Sequence, residues 1–365
     1  MASTFTEHLK SVVPERMASL SIPGSQVVLV EDGKVTTELS FGIADVNTGA
    51  PVTNDMLFSV QSISKAFAAW GVMVLVERGL VDLDASIDTY MKRWHLPESE
   101  YPVSEVTVRR LLSHRAGLSN SGIKSVPLDR TDTTLIDGLN ADMPPLNEEQ
   151  IRYFEKWDLL EVVPVVLERQ PGESWEYANG GFAMLELMIE DVTGQSFAEF
   201  METEVLLPLG LKDSTFQSPP SPCYAAPHGP EAVRFQDYRK VCLAAGGLYA
   251  TARDIGLFMC AEMDGYHGRS NPVLSMESIR DMLSSQGLAD KMDDRQFHAG
   301  LGHFLLWSDD QFNVHHSGGS IGWRSIYSEF PETGEGFCML INSDEGNDLW
   351  MGLIQDWREY LGAVR

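Results

Sequence analysis

Strand-like segments occupy both ends of this chain, and helix-like segments fill the stretch between them. Near the start, QVVLV (26–30) and KVTTELSFGIAD (34–45) flank EDG and read as a β-hairpin. FHAGLGHFLLW, NVHHSGGSIGWRSIYSEF and GFCMLINS carry the late strand signals, the last two joined by PETGEG. From about residue 62 to 290, apolar residues recur mostly at helical spacing. Residues 66–78, stopped by Gly79, form one such pattern; 153–169, perturbed by Pro164, and 182–192 are others. An amphipathic run, 349–361, closes the chain. This order predicts an α+β fold, in which 1–61 and 291–365 share one antiparallel sheet and 62–290 form a mostly helical lobe. The 365 residues, 43% of them apolar, suffice for a sizeable core.

Acidic residues outnumber basic ones by 53 to 27, a formal net charge of −26. Such a charge repels polyanions and argues against nucleic acid or an anionic membrane as partner. The first residues, MASTFTEHLKSVV, place Glu7, His8 and Lys10 where a signal peptide needs an unbroken apolar core. The longest apolar run, 66–76, is too short to span a bilayer. The expected compartment is the cytoplasm. Cys223, Cys242, Cys260 and Cys338 are scattered, form no CxxC, and read as reduced thiols. The nine histidines show no metal-ligand spacing with acids or thiols, so neither metal nor cofactor is expected.

Chemistry is suggested by FSVQSISKAF (58–67), which sets three serines and a lysine before the apolar run. A serine hydroxyl is a poor nucleophile until a base takes its proton. Helical residues three or four apart face each other, so of the three only Ser62 is spaced to meet Lys65. A helix start also offers Ser62 free N–H groups and a positive dipole end. Lys65 enters an apolar wall (Ala66, Phe67, Ala68, Ala69, Trp70), and desolvation favours its neutral, basic form. A second S-x-x-K, Ser121 to Lys124, lies in a loop-like stretch with nothing to bury its lysine. GGSIG (318–322) matches the nucleophile elbow G-x-S-x-G, but the elbow needs a following helix and a later histidine. Here WRSIYSEF continues as a strand and the last histidine is His316, which argues against Ser320.

Two more segments stand out: Tyr177-Ala178-Asn179, the one Y-x-N, and His316-Ser317-Gly318 on a late strand. Singly, these read as a packed aromatic, a turn residue and a strand histidine. Ordered as Ser62-x-x-Lys65, Tyr177-x-Asn179 and His316-Ser317-Gly318, they resemble the three motifs of the serine β-lactamase and penicillin-binding-protein superfamily. The resemblance is closest to the Y-x-N branch: class C β-lactamases, R61-type D,D-carboxypeptidases, D-aminopeptidases and family VIII carboxylesterases. LLSHRAGL (111–118), PGESWEYANGGF (171–182) and AAGGLYATARDI (244–255) support it, and the match runs from about residue 20 to the C-terminus.

The resemblance implies a β-lactamase/transpeptidase-like fold with the active site between sheet and helical lobe. It makes Ser62 the acylated nucleophile, Lys65 its proton relay, and Tyr177 the partner base and later acid. Asn179 would donate to the substrate carbonyl and steady Lys65. The N–H groups of Ser62 and Gly319 would form the oxyanion hole, with Ser317 and Gly318 along the substrate. Neighbouring strand residues alternate between faces, so His315 is expected on the opposite side of the sheet from His316. His114 is expected to be structural. The implied activity is that of a serine hydrolase acting on short-chain esters or small amides. A β-lactamase or D,D-carboxypeptidase, and an inactive binding homologue, are the alternatives. His316 stands where the β-lactamases of the superfamily usually carry a lysine, which predicts a preference for neutral substrates over β-lactams. Arg324 is the residue that would restore a cation there.

Overall fold

A computed structural model of the chain describes residues 4–119, 125–128, 130–142, 163–217, 224–292, 295–308 and 311–364. The hairpin read from EDG forms as expected. Strand β1 (Gly24–Glu31) turns into β2 (Lys34–Asp45) through Asp32 and Gly33, at φ 52° and 70°. Two consecutive left-handed residues match the twist of the strands they join. After the short β3 (Ala50–Pro51), the remaining strands of the sheet come late: β4 (Leu288–Met292), β5 (Arg295–Ala299), β6 (Phe304–Ser308), β7 (Gln311–Ser320), β8 (Trp323–Phe330) and β9 (Glu335–Ile341). They assemble in the order β3-β2-β1-β9-β8-β7-β6-β5-β4, with every pair antiparallel. The two ends of the chain meet in the middle of the sheet, with Val28 opposite Cys338.

β1 is apolar without alternation because both of its faces are covered. Val27 and Leu29 point into an outer layer with Phe337, Met339 and Ile341 of β9, whereas Val28 and Val30 point into the inner core. Two helices build the outer layer: α1 (Thr4–Ser19), through Phe5, Leu9, Val13 and Met17, and the C-terminal α5 (Gly346–Val364). His8 of α1 hydrogen-bonds Asp356 of α5 at 3.0 Å.

On the inner side, α2 (Ser64–Glu77) is buried continuously from Ser64 to Leu75. A helix apolar all round has no solvent face and becomes the central rod of a core. Fully burying side chains such as Phe67 and Leu75 contributes about 1.5–3 kcal/mol each. α3 (Asn179–Thr193) packs beside it, and α4 (Ala252–Tyr266) lies on the sheet itself. Gly256 lets α4 approach closely: a Cβ there would sit 2.7 Å from Val28 and 2.9 Å from Val35. Thus α4 belongs to the sheet layer in space although it falls within 62–290 in sequence. Among the described residues, no helix is long and apolar enough to cross a membrane.

One helical expectation is corrected. Of 153–169, only 163–169 lies among the described residues, and that part is irregular rather than helical. Leu167 bridges Leu118, and the Ser119 N–H donates to the Val166 carbonyl. Pro164 supplies no N–H and disfavours helix in its predecessor, so Gly117 and Ser119 take the backbone bonds a helix would have made.

Candidate active site

The three serines part company in structure. Ser62 sits in a single 3₁₀ turn (Gln61–Ile63) that leads straight into α2. Its predecessor Gln61 holds a left-handed φ of 52°, costly for a non-glycine residue and tolerated where the surroundings fix it. The Gln61 amide donates to Ser59 Oγ at 2.7 Å, and the Ser64 hydroxyl donates to the Gln61 carbonyl at 2.6 Å while accepting from Leu248 N–H. Ser59 and Ser64 are therefore buried struts of the turn. Ser62 alone is half-exposed, with its Oγ 3.2 Å from Lys65 Nζ.

Lys65 is fully buried, its Nζ also donating to the Ala245 carbonyl at 2.6 Å. Burial lowers the amine from the ordinary lysine range to about 7, and the nearby Lys240 cation adds to the drop. Nζ lies 4.9 Å from the Tyr177 ring centre and 5.5 Å from that of Phe182. Tyr177 also reaches Ser62: burial pushes its phenol above the usual range, and a hydrogen bond with Ser62 pulls it partly back. Ser62 thus stands between an amine that is readily neutral and a hydroxyl that stays protonated.

His114 holds Tyr177 in place. Its Nδ1 accepts from Ala178 N–H at 3.2 Å, its carbonyl accepts from Glu176 N–H at 2.8 Å, and its ring lies 4.4 Å from the tyrosine ring. Burial, then the Lys65 charge, lower its imidazole to about 3, so it acts as a neutral acceptor. Asn179 is the first residue of α3, two positions beyond Tyr177. The hydrogen bonds of Lys65 go to Ser62 and Ala245, and the expected tie from Asn179 to Lys65 is not among them.

The third motif lies on β7. β6 pairs with β7 only as far as His315, so residues 316–320 present an open edge toward the nucleophile, backed by β8 on the far side. Gly318 makes this approach possible. A Cβ there would collide with the Val60 carbonyl and Ser325 Oγ and come 3.0 Å from Gln61 Cβ. Gly318→Ala is expected to lower the melting temperature, as overpacking costs about 1–3 kcal/mol, and to lower kcat/KM by displacing Gly319 from Ser62. A thermal melt with steady-state kinetics checks it; a variant with both values unchanged would show that the strand does not press on the turn.

His316 is buried against Phe304, with ring centres 5.0 Å apart, and its Nδ1 is 2.7 Å from the Ser317 carbonyl oxygen. Burial, then the Lys65 charge, hold it well below the ordinary histidine range, so it is neutral at pH 7. His315 packs on Phe297 and Phe304. Arg324 faces Gly319 across the hairpin, but its guanidinium donates to the Ser320 and Trp323 carbonyls and pairs with Asp344 at 3.2 Å. Ser317, Gly318, Gly319, Ser320 and Arg324 line an open cleft of about 760 Å³ that reaches Trp350. GGSIG is the β7–β8 turn, without a following helix. Ser121 and Lys124 lie outside the described residues, as does Cys223; the other three cysteines are free thiols.

Sequence reasoning missed two supports. Glu186 of α3, buried, accepts from Ala244 N–H at 2.8 Å and so anchors the turn whose Ala245 carbonyl holds Lys65. Burial raises its carboxyl to about 8. Lys240, on a two-stranded ribbon of Ser125–Pro127 with Tyr238–Lys240, donates to Ser320 Oγ at 3.1 Å. Neither belongs to a motif; a buried acid within a helical apolar pattern was the one available signal, and only for Glu186.

Residues 9–359 match the Beta-lactamase family, and the chain belongs to it. It is 24% identical to esterase EstB of Burkholderia gladioli over 93% of this chain and 90% of that one. It is 26% identical to penicillin-binding protein 4 of Amycolatopsis lactamdurans over 94% and 87%. Against penicillin-binding protein 4* of Bacillus subtilis it is 30% identical but spans only 37% of that protein's length. Among solved structures, the D-amino acid amidase of Ochrobactrum anthropi SV3 aligns with TM-score 0.69 and 23% identity, covering 93% of this chain and 92% of that one. A class C β-lactamase aligns with TM-score 0.71 and 19% identity over 95% and 94%. The β-lactamase/transpeptidase-like fold is thereby established, in a family of hydrolases that includes esterases, D-aminopeptidases and penicillin-binding proteins.

Proposed function

We propose that this chain is a serine hydrolase that cleaves short-chain esters or small amides through an acyl-enzyme on Ser62. The observation that carries the reading is the placement of Ser62 Oγ between Lys65 Nζ, 3.2 Å away on an amine that titrates at about 7, and the protonated Tyr177 hydroxyl. In the forward step neutral Lys65 accepts the Ser62 proton as Oγ bonds to the substrate carbonyl carbon. The oxyanion so formed is received by the N–H groups of Ser62 and Gly319. As the tetrahedral species collapses, Tyr177 gives its proton to the departing oxygen or nitrogen and regains one from Lys65. Water then repeats the sequence on the acyl-enzyme and restores Ser62. Asn179 and Ser317 flank the substrate. EstB and the D-amino acid amidase, by their names, act on an ester and on D-amino acid amides, which supports this substrate range here. Intact Ser62, Lys65 and Tyr177 in contact speak against an inactive binding homologue.

The pH profile tests the assignment. A base that works when neutral gains activity as pH rises through its ionisation. The kcat/KM for p-nitrophenyl butyrate should therefore climb between pH 6 and 8, with a midpoint of about 7, and then level off. A profile that is flat or falls over that window would remove Lys65 as the base.

A further inference from the structure

His316 is neutral and Arg324 is paired to Asp344, so neither offers a free positive charge to a substrate. Lys240 does. Its ammonium donates to Ser320 Oγ, a wall of the cleft beside the third motif, and none of the ion pairs of the described residues includes it. The aliphatic stem runs along Gly246, beside the turn that precedes the nucleophile: Lys240 Cε and the Gln61 backbone carbon lie 3.7 and 3.8 Å from the same point, the Cβ position of Gly246. The Tyr238 ring lies 5.3 Å from Nζ, and the Tyr238 hydroxyl is anchored on the Ile321 carbonyl at 2.8 Å, which fixes the ribbon against the β7–β8 turn. In a chain of net charge −26, a half-buried lysine whose hydrogen-bond partner among the described residues is a lone hydroxyl is conspicuous, because desolvating an unpaired cation is costly. Burial lowers its amine only to about 8, which leaves it mostly charged at pH 7.

We propose that Lys240 is a specificity residue that receives a carboxylate of the substrate, so that the preferred esters or amides carry an anionic group within reach of the Ser320 end of β7. This rests on the serine hydrolase reading above. It also replaces the preference for neutral substrates expected from His316 and Arg324 alone, since the cation stands on an element that carries no motif. On binding, the carboxylate takes the place of Ser320 Oγ at Nζ; no covalent bond is made or broken in that exchange.

The test compares mono-p-nitrophenyl glutarate with its methyl-capped, uncharged analogue at pH 7 and low salt. The readout is the ratio of their kcat/KM values, in which a general loss of activity cancels. Lys240→Met should lower the anionic-to-neutral ratio by roughly tenfold or more, and Lys240→Arg should largely retain it, as expected for loss and keeping of a charge-assisted hydrogen bond. Lys240→Glu should lower the ratio further. Binding of glutarate to the Ser62→Ala protein, measured by calorimetry, gives a readout independent of turnover and should be lost when Lys240→Met is added. An unchanged ratio, or glutarate binding that is indifferent to Lys240, overturns the proposal. Failure of the wild type to hydrolyse either ester would instead count against the hydrolase reading, with calorimetry still deciding Lys240.

Discussion

Lys65→Met and Tyr177→Phe should each lower kcat by about 10²–10⁴, the range that proton transfer by a positioned side chain supplies. The two residues flank one hydroxyl and pass one proton, so their effects should not add: the double variant should be little worse than the poorer single one. Additive losses would mean that they act separately. Stability moves the other way for Lys65. Its folded amine titrates at about 7, against an unfolded value of ~10.4, so between these values the unfolded chain binds more protons and stability rises with pH. The buried lysine is thus most costly at pH 7 and below, and Lys65→Met should raise the melting temperature there while it removes activity. A variant that loses both would be a folding defect and would say nothing about the proton.

Ser62→Ala should reduce turnover by roughly 10⁶-fold, as removal of a serine hydrolase nucleophile does. Its fold should be intact, because Ser62 is half-exposed and the turn is braced by its neighbours. Ser64→Ala should show the opposite balance. The Ser64 hydroxyl bonds both the Gln61 carbonyl and Leu248 N–H in a fully buried setting, and leaving buried groups unsatisfied costs about 1–3 kcal/mol. Thermal melts beside ester hydrolysis separate the two serines. If Ser62→Ala retained a tenth of the wild-type rate, the nucleophile would lie elsewhere.

What the sequence carried well was local or ordered. The three-residue spacing of Ser62 and Lys65 survives although Ser62 occupies a 3₁₀ turn, because both helix types bring such residues to one side. EDG announced its hairpin through residues that accept positive φ. The sheet's closure, β1 against β9, followed from strand signals at both ends. The failures involve long-range partners. Residues 163–169 read as helix until Gly117 and Ser119 supply the competing hydrogen bonds. α1 went unrecognised: its apolar residues Phe5, Leu9, Val13 and Met17 recur every fourth position, but Pro14 and the charges among them obscured the face, and α5 is what covers it. Lys240 is legible in no window, since its partner Ser320 and the turn at Gln61 beside it come from distant parts of the chain.

The central claim is a covalent one, and it is tested by finding the covalent bond. The protein is treated with a p-nitrophenyl phosphonate, which transfers its phosphonyl group to an activated serine and releases p-nitrophenol, and is then digested and mapped by mass spectrometry. One adduct, on the peptide containing FSVQSISKAF and localised to Ser62 by fragmentation, is the predicted result, with labelling suppressed in Lys65→Met. An adduct on Ser320 or Ser121, or labelling of Ser62 at the same rate with and without Lys65, would contradict it.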